Sequence, residues 1–374
     1  MATTASSSPT LPTLPGRYYY DPAVYAAEQE RIFGRQWVCV GHHDRIPATG
    51  DYFTTDIGGE NVLVVRGNNG EVRAFLNVCR HRGARLCNAP CGQVKGVIRC
   101  PYHAWSYALD GRLIGVPNMA DETGFDRRAH GLVPVHLARW EGLLFVNLSE
   151  GDPPSLDAQV ARSVAERFGG DDLFRRYHLD ELRIARTIAY DVVANWKIGI
   201  ENFLECYHCA PMHPELCDLL PGFRGGRAYQ QGLGTEFAAG VDALTRDGKA
   251  TRPPLRDLHP DDQRRYYGLV LMPSAFVNLL PDHVLIHTLT PDGPERTRIR
   301  CDWLFAPPAM ARADFAPEDT VALFDLVNRQ DWAVCEMTQR GMHSRAHRDG
   351  GVFVPIEHHI RQFNEAILEA IEGW

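Results

Sequence analysis

The spacing of apolar residues changes character along the chain, and each change marks an element. Residues 1–16 are small, polar and punctuated by proline, which predicts a disordered tail. From Asp21 to Trp37 apolar side chains recur at Tyr25, Ile32 and Phe33 among Ala, Glu and Arg, with Asp21 at an N-cap and Pro22 in the first turn. That pattern predicts a short amphipathic helix. From about Gln36 the period falls to two. Asp51–Ile57, Asn61–Arg66 and Val72–Val78 read as short strands, with Gly67-Asn68-Asn69-Gly70 as a hairpin turn. Trp140 to Leu148 reads as the last buried strand of this all-β unit, and Gly151-Asp152-Pro153-Pro154 ends it, giving a first domain over residues 38–150.

The remainder mixes both periods. Glu181–Asp191, Ala275–Leu280, His283–Leu289 and Arg296–Phe305 read as strands, with Pro291-Asp292-Gly293-Pro294 turning between the last two. Trp196–Tyr207, Pro317–Met342 and Glu357–Glu372 read as helices. The fold class is therefore α+β, without internal repeats.

At 374 residues the chain is long enough for two domains. Its formal net charge of −8 argues against nucleic acid or an anionic membrane as the main partner. The cysteines cluster beside histidines, at Cys79, Cys87, Cys91 and Cys100 and again at Cys206, Cys209 and Cys217. Such clustering reads as metal chemistry in a reducing compartment rather than a disulfide scaffold. The first ten residues lack the basic start and apolar run of a signal peptide. The best apolar stretch, Leu269 to Leu280, is short and broken by Pro273, Ser274 and Asn278. A cytoplasmic protein is the expectation.

Two short loops carry the densest chemistry. Cys79-Arg80-His81 is followed, after an interval of eighteen residues, by Cys100-Pro101-Tyr102-His103. A Cys₂His₂ set can hold a tetrahedral zinc, or a [2Fe–2S] cluster with two Cys on one iron and two His on the other. Classical zinc fingers keep the Cys pair and the His pair apart. Here each loop is Cys-then-His, which lets each loop give one ligand to each iron, the pattern of Rieske centres. Cys87 and Cys91 stay outside it.

A second constellation follows, with Glu201-Asn202-Phe203-Leu204-Glu205-Cys206-Tyr207-His208 and then His213-Pro214. Five residues apart, two histidines on one helix sit about 140° apart. Pro211 argues that the helix ends near His208, which frees His213 to fold back. Two imidazoles and a carboxylate make the facial triad of non-haem Fe(II) sites; two unrelated surface histidines are the plain alternative. The carboxylate candidates in the long helix are Asp325, Asp331 and Glu336. Asp331 shares an apolar stripe with Phe324, Val327, Val334 and Cys335, where an acid must be paired, protonated or metal-bound. Asp325 aligns with Asn328 and Arg329, and Glu336 with Gln339 and Arg340, so both are expected to be solvated or salt-bridged. Glu205 precedes His208 by three, on the same helical face, where it can orient the imidazole. His42, His43, His343, His347, His358 and His359 are read as solvated or packing histidines.

With Arg82-Gly83 after the first loop and Trp105 to Leu113 after the second, these motifs resemble the oxygenase (alpha) subunit of Rieske non-haem iron oxygenases, over nearly the whole chain from Trp37. The resemblance implies an all-β Rieske domain holding [2Fe–2S] on Cys79, His81, Cys100 and His103. It implies a helix-grip catalytic domain, an antiparallel sheet with long helices, built from residues 17–37 and 151–374. Mononuclear Fe(II) would sit there on His208, His213 and Asp331. It also implies a homotrimer in which Glu205 links His208 to His103 of the partner subunit. Many relatives place Asp at this position, so Glu205 departs by one methylene. The chain has neither a Gly-x-Gly-x-x-Gly fingerprint after a strand nor a plant-type ferredoxin cysteine run, so NAD(P)H must feed it through a separate flavin- or ferredoxin-type reductase.

Residues 202–209, His213-Pro214-Glu215-Leu216, Asn278 to His283 and Cys301 to Phe305 resemble the branch acting on quaternary ammonium compounds: glycine betaine, stachydrine, carnitine and choline. That implies O₂-dependent hydroxylation of a carbon beside N⁺, commonly N-demethylation. Tyr207, Phe203, Phe276 and Trp332 are the aromatic candidates for holding the cation. Within the same class, the alternative is an arene-ring dioxygenase or O-demethylase. The alternative from another class is a Rieske electron-transfer protein, which would not need His208, His213, Asp331 or a second domain.

Overall fold

A computed structural model describes residues 12–119, 124–226 and 234–373. Alternation along the strand Glu60–Arg66 organises its smaller unit. Val62 and Val64 enter one apolar cluster and Leu63 and Val65 another, and all four are fully buried. A strand with both faces apolar has to be covered on both sides. It lies inside a seven-stranded antiparallel sheet whose spatial order is Val38–His42, Leu143–Asn147, Pro134–Trp140, Val72–Leu76, Glu60–Arg66, Asp51–Ile57 and Cys91–Gln93. On one side Leu63 and Val65 pack with Phe75, Ile98, Tyr107 and Leu113, beneath a three-stranded sheet of Val97–Arg99, Ser106–Ala108 and Leu113–Gly115. On the other side Val62 and Val64 join Trp196 and Phe276 of the larger unit. The two units therefore share a core. Trp37, Cys39, Leu143 and Phe145 likewise pack against Leu156, Phe174 and Leu269.

Two readings are corrected here. Trp140 to Leu148 is not a single strand but part of a hairpin, Pro134–Trp140 and Leu143–Asn147. Glu141 and Gly142 turn it with φ of 45° and 79°, the paired left-handed conformation of a two-residue hairpin turn. Of the tail assigned to residues 1–16, residues 1–11 lie outside the described residues, while the rest is packed. Leu14 is buried, Pro12 bridges to Val352, and Thr13 N donates to Gly351 O at 3.2 Å. One leucine and two backbone groups with partners suffice to order this short segment.

The larger unit is a six-stranded antiparallel sheet in the order Arg183–Val192, Thr297–Phe305, Val284–Pro291, Ala275–Leu279, Arg265–Leu271 and Thr235–Glu236. Helices α1 (Pro22–Glu28), α2 (Leu156–Phe168), α3 (Trp196–Phe203), α4 (Glu318–Met342) and α5 (His358–Glu372) pack around it. Asp21 caps α1, its Oδ1 accepting from Ala23 N at 2.8 Å, and a π-turn over Gln29–Phe33 prolongs the helix. Helix α3 contacts both α4 and Val284–Pro291, and α4 also contacts the strand Arg183–Val192. This is the α+β helix-grip arrangement anticipated from the sequence.

An ion pair fixes α1 against α3. Glu28 and Lys197 side chains are both 0% exposed and in contact, and Trp196 Nε1 donates to Glu28 Oε2 at 2.8 Å. Such a pair adds little net stability, but removing one member strands a buried charge at a cost of ~3–5 kcal/mol. It thereby ties residues 17–37 to the larger unit. No helix among the described residues is long and apolar enough to cross a membrane.

Candidate metal centres and active site

Helix α3 ends at Phe203, four residues before the expected Tyr207. The Glu205 carboxylate is the cause: it accepts the backbone N–H groups of Tyr207 and of His208, the latter at 3.1 Å, in place of carbonyls one turn back. The same carboxylate contacts His208 Nδ1. Glu205 and His208 thus meet through a turn, not along a helical face. One-turn helices Cys209–Met212 and Pro214–Leu219 follow, with His213 at the joint and Pro214 starting the second. The change of direction brings His213 back beside His208. On α4, Asp331 Oδ1 lies 2.9 Å from His213 Nε2 and 3.3 Å from His208 Nε2.

The far side of each imidazole is occupied. His213 Nδ1 donates to Gln330 Oε1 at 2.7 Å, and His208 Nδ1 faces the Glu205 carboxylate. An amide or carboxylate oxygen only accepts, so both Nδ1 atoms carry a hydrogen, and the two Nε2 atoms facing Asp331 are the positions that take either a proton or a metal ion. The three ligand atoms lie within 4.8 Å of one another, and no other His/Cys/Asp/Glu trio among the described residues converges in this way. Three acceptors sharing one partly buried spot fit a cation, and two imidazoles with one carboxylate are the donor set of ferrous facial triads. Proton affinities tell the same story. Burial pushes the Asp331 carboxyl up, but the hydrogen bonds to His208 and His213 prevail and hold it below the usual carboxylate range. Burial opposes a proton on His208, yet Asp331, Cys209 and Glu205 drive it up to about 12. A pocket that attracts protons so strongly attracts metal cations for the same reason.

The rejected acids sit elsewhere. Asp325 pairs with Arg329 at 2.9 Å, as expected. Glu336 accepts from Val193 N at 3.1 Å, a backbone partner the sequence did not indicate. Of the discounted histidines, His42 and His43 bond the carbonyls of Leu179 and Asp180.

The triad lines a cavity of about 70 Å³ that opens to solvent. Phe203 and Phe276 stack in its wall, ring centroids 4.2 Å apart and planes within 4°, and Trp332 also lines it. Tyr207 does not: its side chain lies outside the lining and is 61% exposed. Sequence reasoning missed Gln330, His287 and Asn328, all beside or within this cavity. The available signals were a histidine in the middle of the apolar strand Val284–Pro291 and an asparagine three residues before Asp331 on the buried stripe of α4.

In the smaller unit, Cys79 and Cys100 are buried at 3% exposure each, whereas His81 and His103 are exposed, with ring centroids 4.8 Å apart. Tyr107 hydroxyl accepts from Arg80 N at 3.0 Å and lies 3.4 Å from Cys79 Sγ, pinning the first loop. His81 stacks on Trp105, and His103 lies tilted by 30° against Tyr102. The four side chains do not gather on one point as a tetrahedral zinc demands. Two thiols inside and two imidazoles outside fit a two-iron cluster with unlike ends. Cys87 is buried and Cys91 lies exposed on the edge strand.

Residues 36–136 match the Rieske [2Fe-2S] domain, and residues 179–373 match the catalytic domain of ring hydroxylating alpha subunits. The chain belongs to the Rieske non-haem iron oxygenases. As a Rieske oxygenase it takes a [2Fe–2S] cluster and a mononuclear iron as cofactors. The glycine betaine monooxygenase oxygenase subunit of Chromohalobacter salexigens is 34% identical over 370 residues, covering 90% of this chain and 81% of that one. The carnitine monooxygenase oxygenase subunit of Escherichia coli K12 is 30% identical over 359 residues, covering 91% and 86%. The quaternary ammonium Rieske monooxygenase CntA, in complex with L-carnitine, matches with a TM-score of 0.74 at 25% identity over 96% of each chain.

Proposed function

We propose that this Rieske oxygenase is the oxygenase component of a two-component monooxygenase that hydroxylates a quaternary ammonium compound beside its nitrogen, with N-demethylation as the outcome. One observation carries the reading: the cavity at His208, His213 and Asp331 is walled by stacked Phe203 and Phe276, with no Lys or Arg among its described lining residues. A permanent cation has no N–H to donate, so aromatic faces must hold it, at ~0.5–2 kcal/mol each. The substrates named for the two relatives, glycine betaine and carnitine, are cations of this kind.

When bound, the mononuclear iron supplies O₂ activation and the cluster supplies electrons one at a time. The side chains do the rest. His208, His213 and Asp331 hold the iron, while Glu205 and Gln330 keep the proton on each Nδ1 so that each Nε2 stays free to ligate. Cys79, His81, Cys100 and His103 hold the cluster. The aromatic wall excludes water and keeps the N-methyl group near the triad. Overall, R₃N⁺–CH₃ with O₂, two electrons and two protons gives R₃N⁺–CH₂OH and water. The product then releases formaldehyde and a proton to leave the tertiary amine.

A separate flavin- or ferredoxin-type reductase passes the electrons from NAD(P)H. Electron transfer in CntA is inter-subunit. Here the exposed His103 and Tyr102 on one side, and Glu205 beside exposed Tyr207 on the other, suit a homotrimer in which Glu205 connects His208 to His103 of the partner subunit. The test is formaldehyde release by holoenzyme with NADH and a surrogate reductase, over glycine betaine, stachydrine, carnitine, choline and methoxyarenes. Formaldehyde coupled to O₂ uptake with the quaternary ammonium compounds supports the reading, and coupling with methoxyarenes alone overturns it.

A further inference from the structure

The cavity has a polar wall that the aromatic one does not explain. Asn278, His287 and Asn328 line it, each at most 5% exposed. They are links in one hydrogen-bonded chain whose direction is fixed from its outer end. Asp325, paired with Arg329, can only accept, so the Tyr190 hydroxyl donates to it at 2.8 Å. The Tyr190 oxygen then accepts from Asn328 Nδ2 at 3.2 Å, which leaves Asn328 Oδ1 to accept from His287 Nε2 at 3.1 Å. Burial pushes His287 down to about 4, so the ring is neutral and its Nδ1 accepts, from Asn278 Nδ2 at 3.3 Å. Asn278 Oδ1 in turn accepts from the Tyr266 hydroxyl at 2.5 Å.

Each amide nitrogen carries two hydrogens, and the chain uses one of them. The second hydrogen of Asn328 has the Cys301 sulfur as its partner. That of Asn278 bonds no described residue, although the side chain is buried and lines the cavity. Flipping the Asn278 amide would set its nitrogen against the Tyr266 hydroxyl and its oxygen against the His287 lone pair. The chain therefore holds Asn278 with its N–H, and not its carbonyl, free for a ligand. A buried donor left without a partner is costly, and an acceptor oxygen on the substrate relieves that cost.

We propose that Asn278, positioned by His287, selects substrates that carry an acceptor oxygen, so that the ligand is a zwitterion of the betaine type with a carboxylate as well as a quaternary nitrogen. This rests on the quaternary ammonium reading above. With no Lys or Arg among the described lining residues, the carboxylate is met by neutral donors, and binding then depends on their direction.

The test is calorimetric titration of unreduced holoenzyme, where no turnover occurs, with the visible cluster spectrum reporting that each variant is folded. The ligands are glycine betaine, stachydrine and carnitine, each beside a carboxylate-free alkyltrimethylammonium of matched size. Wild type should prefer the tightest carboxylate ligand over its match by about tenfold or more. Asn278→Asp, which keeps volume but replaces the N–H with an anionic oxygen, should abolish or reverse that preference, because the new charge repels the ligand carboxylate and holds or raises the alkylammonium affinity. His287→Leu should reduce the preference without touching Asn278 itself. A wild type that binds both members of a pair equally, or an Asn278→Asp variant that keeps the preference, overturns the proposal and leaves the quaternary ammonium reading intact. A wild type that binds none of these ligands overturns both.

Discussion

Replacing Gln330 with leucine removes one acceptor from His213 and leaves the iron-facing nitrogen untouched. The His213 side chain is 2% exposed, so its Nδ1–H cannot turn to water once Gln330 Oε1, now 2.7 Å away, is gone. A buried donor without a partner costs ~1–3 kcal/mol. The ring can escape that cost by moving the proton to Nε2, which puts a hydrogen on the atom that must ligate. Metal binding must then reverse that shift and restore the unpaired Nδ1–H, so the cost appears in metal affinity as a weakening of up to about 5- to 150-fold. Gln330→Glu keeps an acceptor in place and makes it stronger, so affinity should be kept or raised. The assay strips the mononuclear iron and titrates Fe(II) back without oxygen, with the cluster absorbance as an internal control of folding. An unchanged affinity in Gln330→Leu would refute the claim that this amide sets the His213 tautomer.

Two further predictions concern other links. Glu205→Ala should weaken mononuclear iron binding by about 10- to 100-fold yet leave the site loadable at high Fe(II). In the loaded variant, single-turnover reoxidation of the cluster by O₂ with substrate should become very slow, and an unchanged rate argues against Glu205 as the bridge between the two centres. Lys197→Met leaves Glu28 buried without its charge partner and should lower stability in urea by ~3–5 kcal/mol. The double variant with Glu28→Gln should recover most of that loss, and a single variant costing under ~1 kcal/mol would show that the pair does not dock α1.

The residues legible in the sequence were those whose chemistry demands rare types at fixed spacing. Cys79, His81, Cys100 and His103 stood out because each of two short loops pairs one Cys with one His, and the structure keeps the two thiols buried and the two imidazoles exposed. Asp331 was separable from Asp325 and Glu336 because helical period alone puts it on the buried stripe of α4, and the structure places it against His208 and His213. Side chains that compete with backbone geometry were harder to read. Glu205 ends α3 by taking two N–H groups, an effect invisible to apolar periodicity, which carried the helix on to Tyr207. The turn at Glu141-Gly142 hid inside a run of apolar residues because its first member is not a usual turn former. The chain through Asn278, His287, Asn328 and Tyr190 joins residues from two neighbouring strands, α4 and a third strand, so no local pattern could reveal it.

Metal content of two single variants tests the triad most directly. Wild type should contain about three irons per chain, two in the cluster and one in the facial triad. Asp331→Ala should lose the mononuclear iron and all turnover while keeping the cluster spectrum unchanged, and Asp325→Ala should keep every iron. An Asp331→Ala protein that retains the mononuclear iron, beside an Asp325→Ala protein that loses it, would contradict the account at its centre.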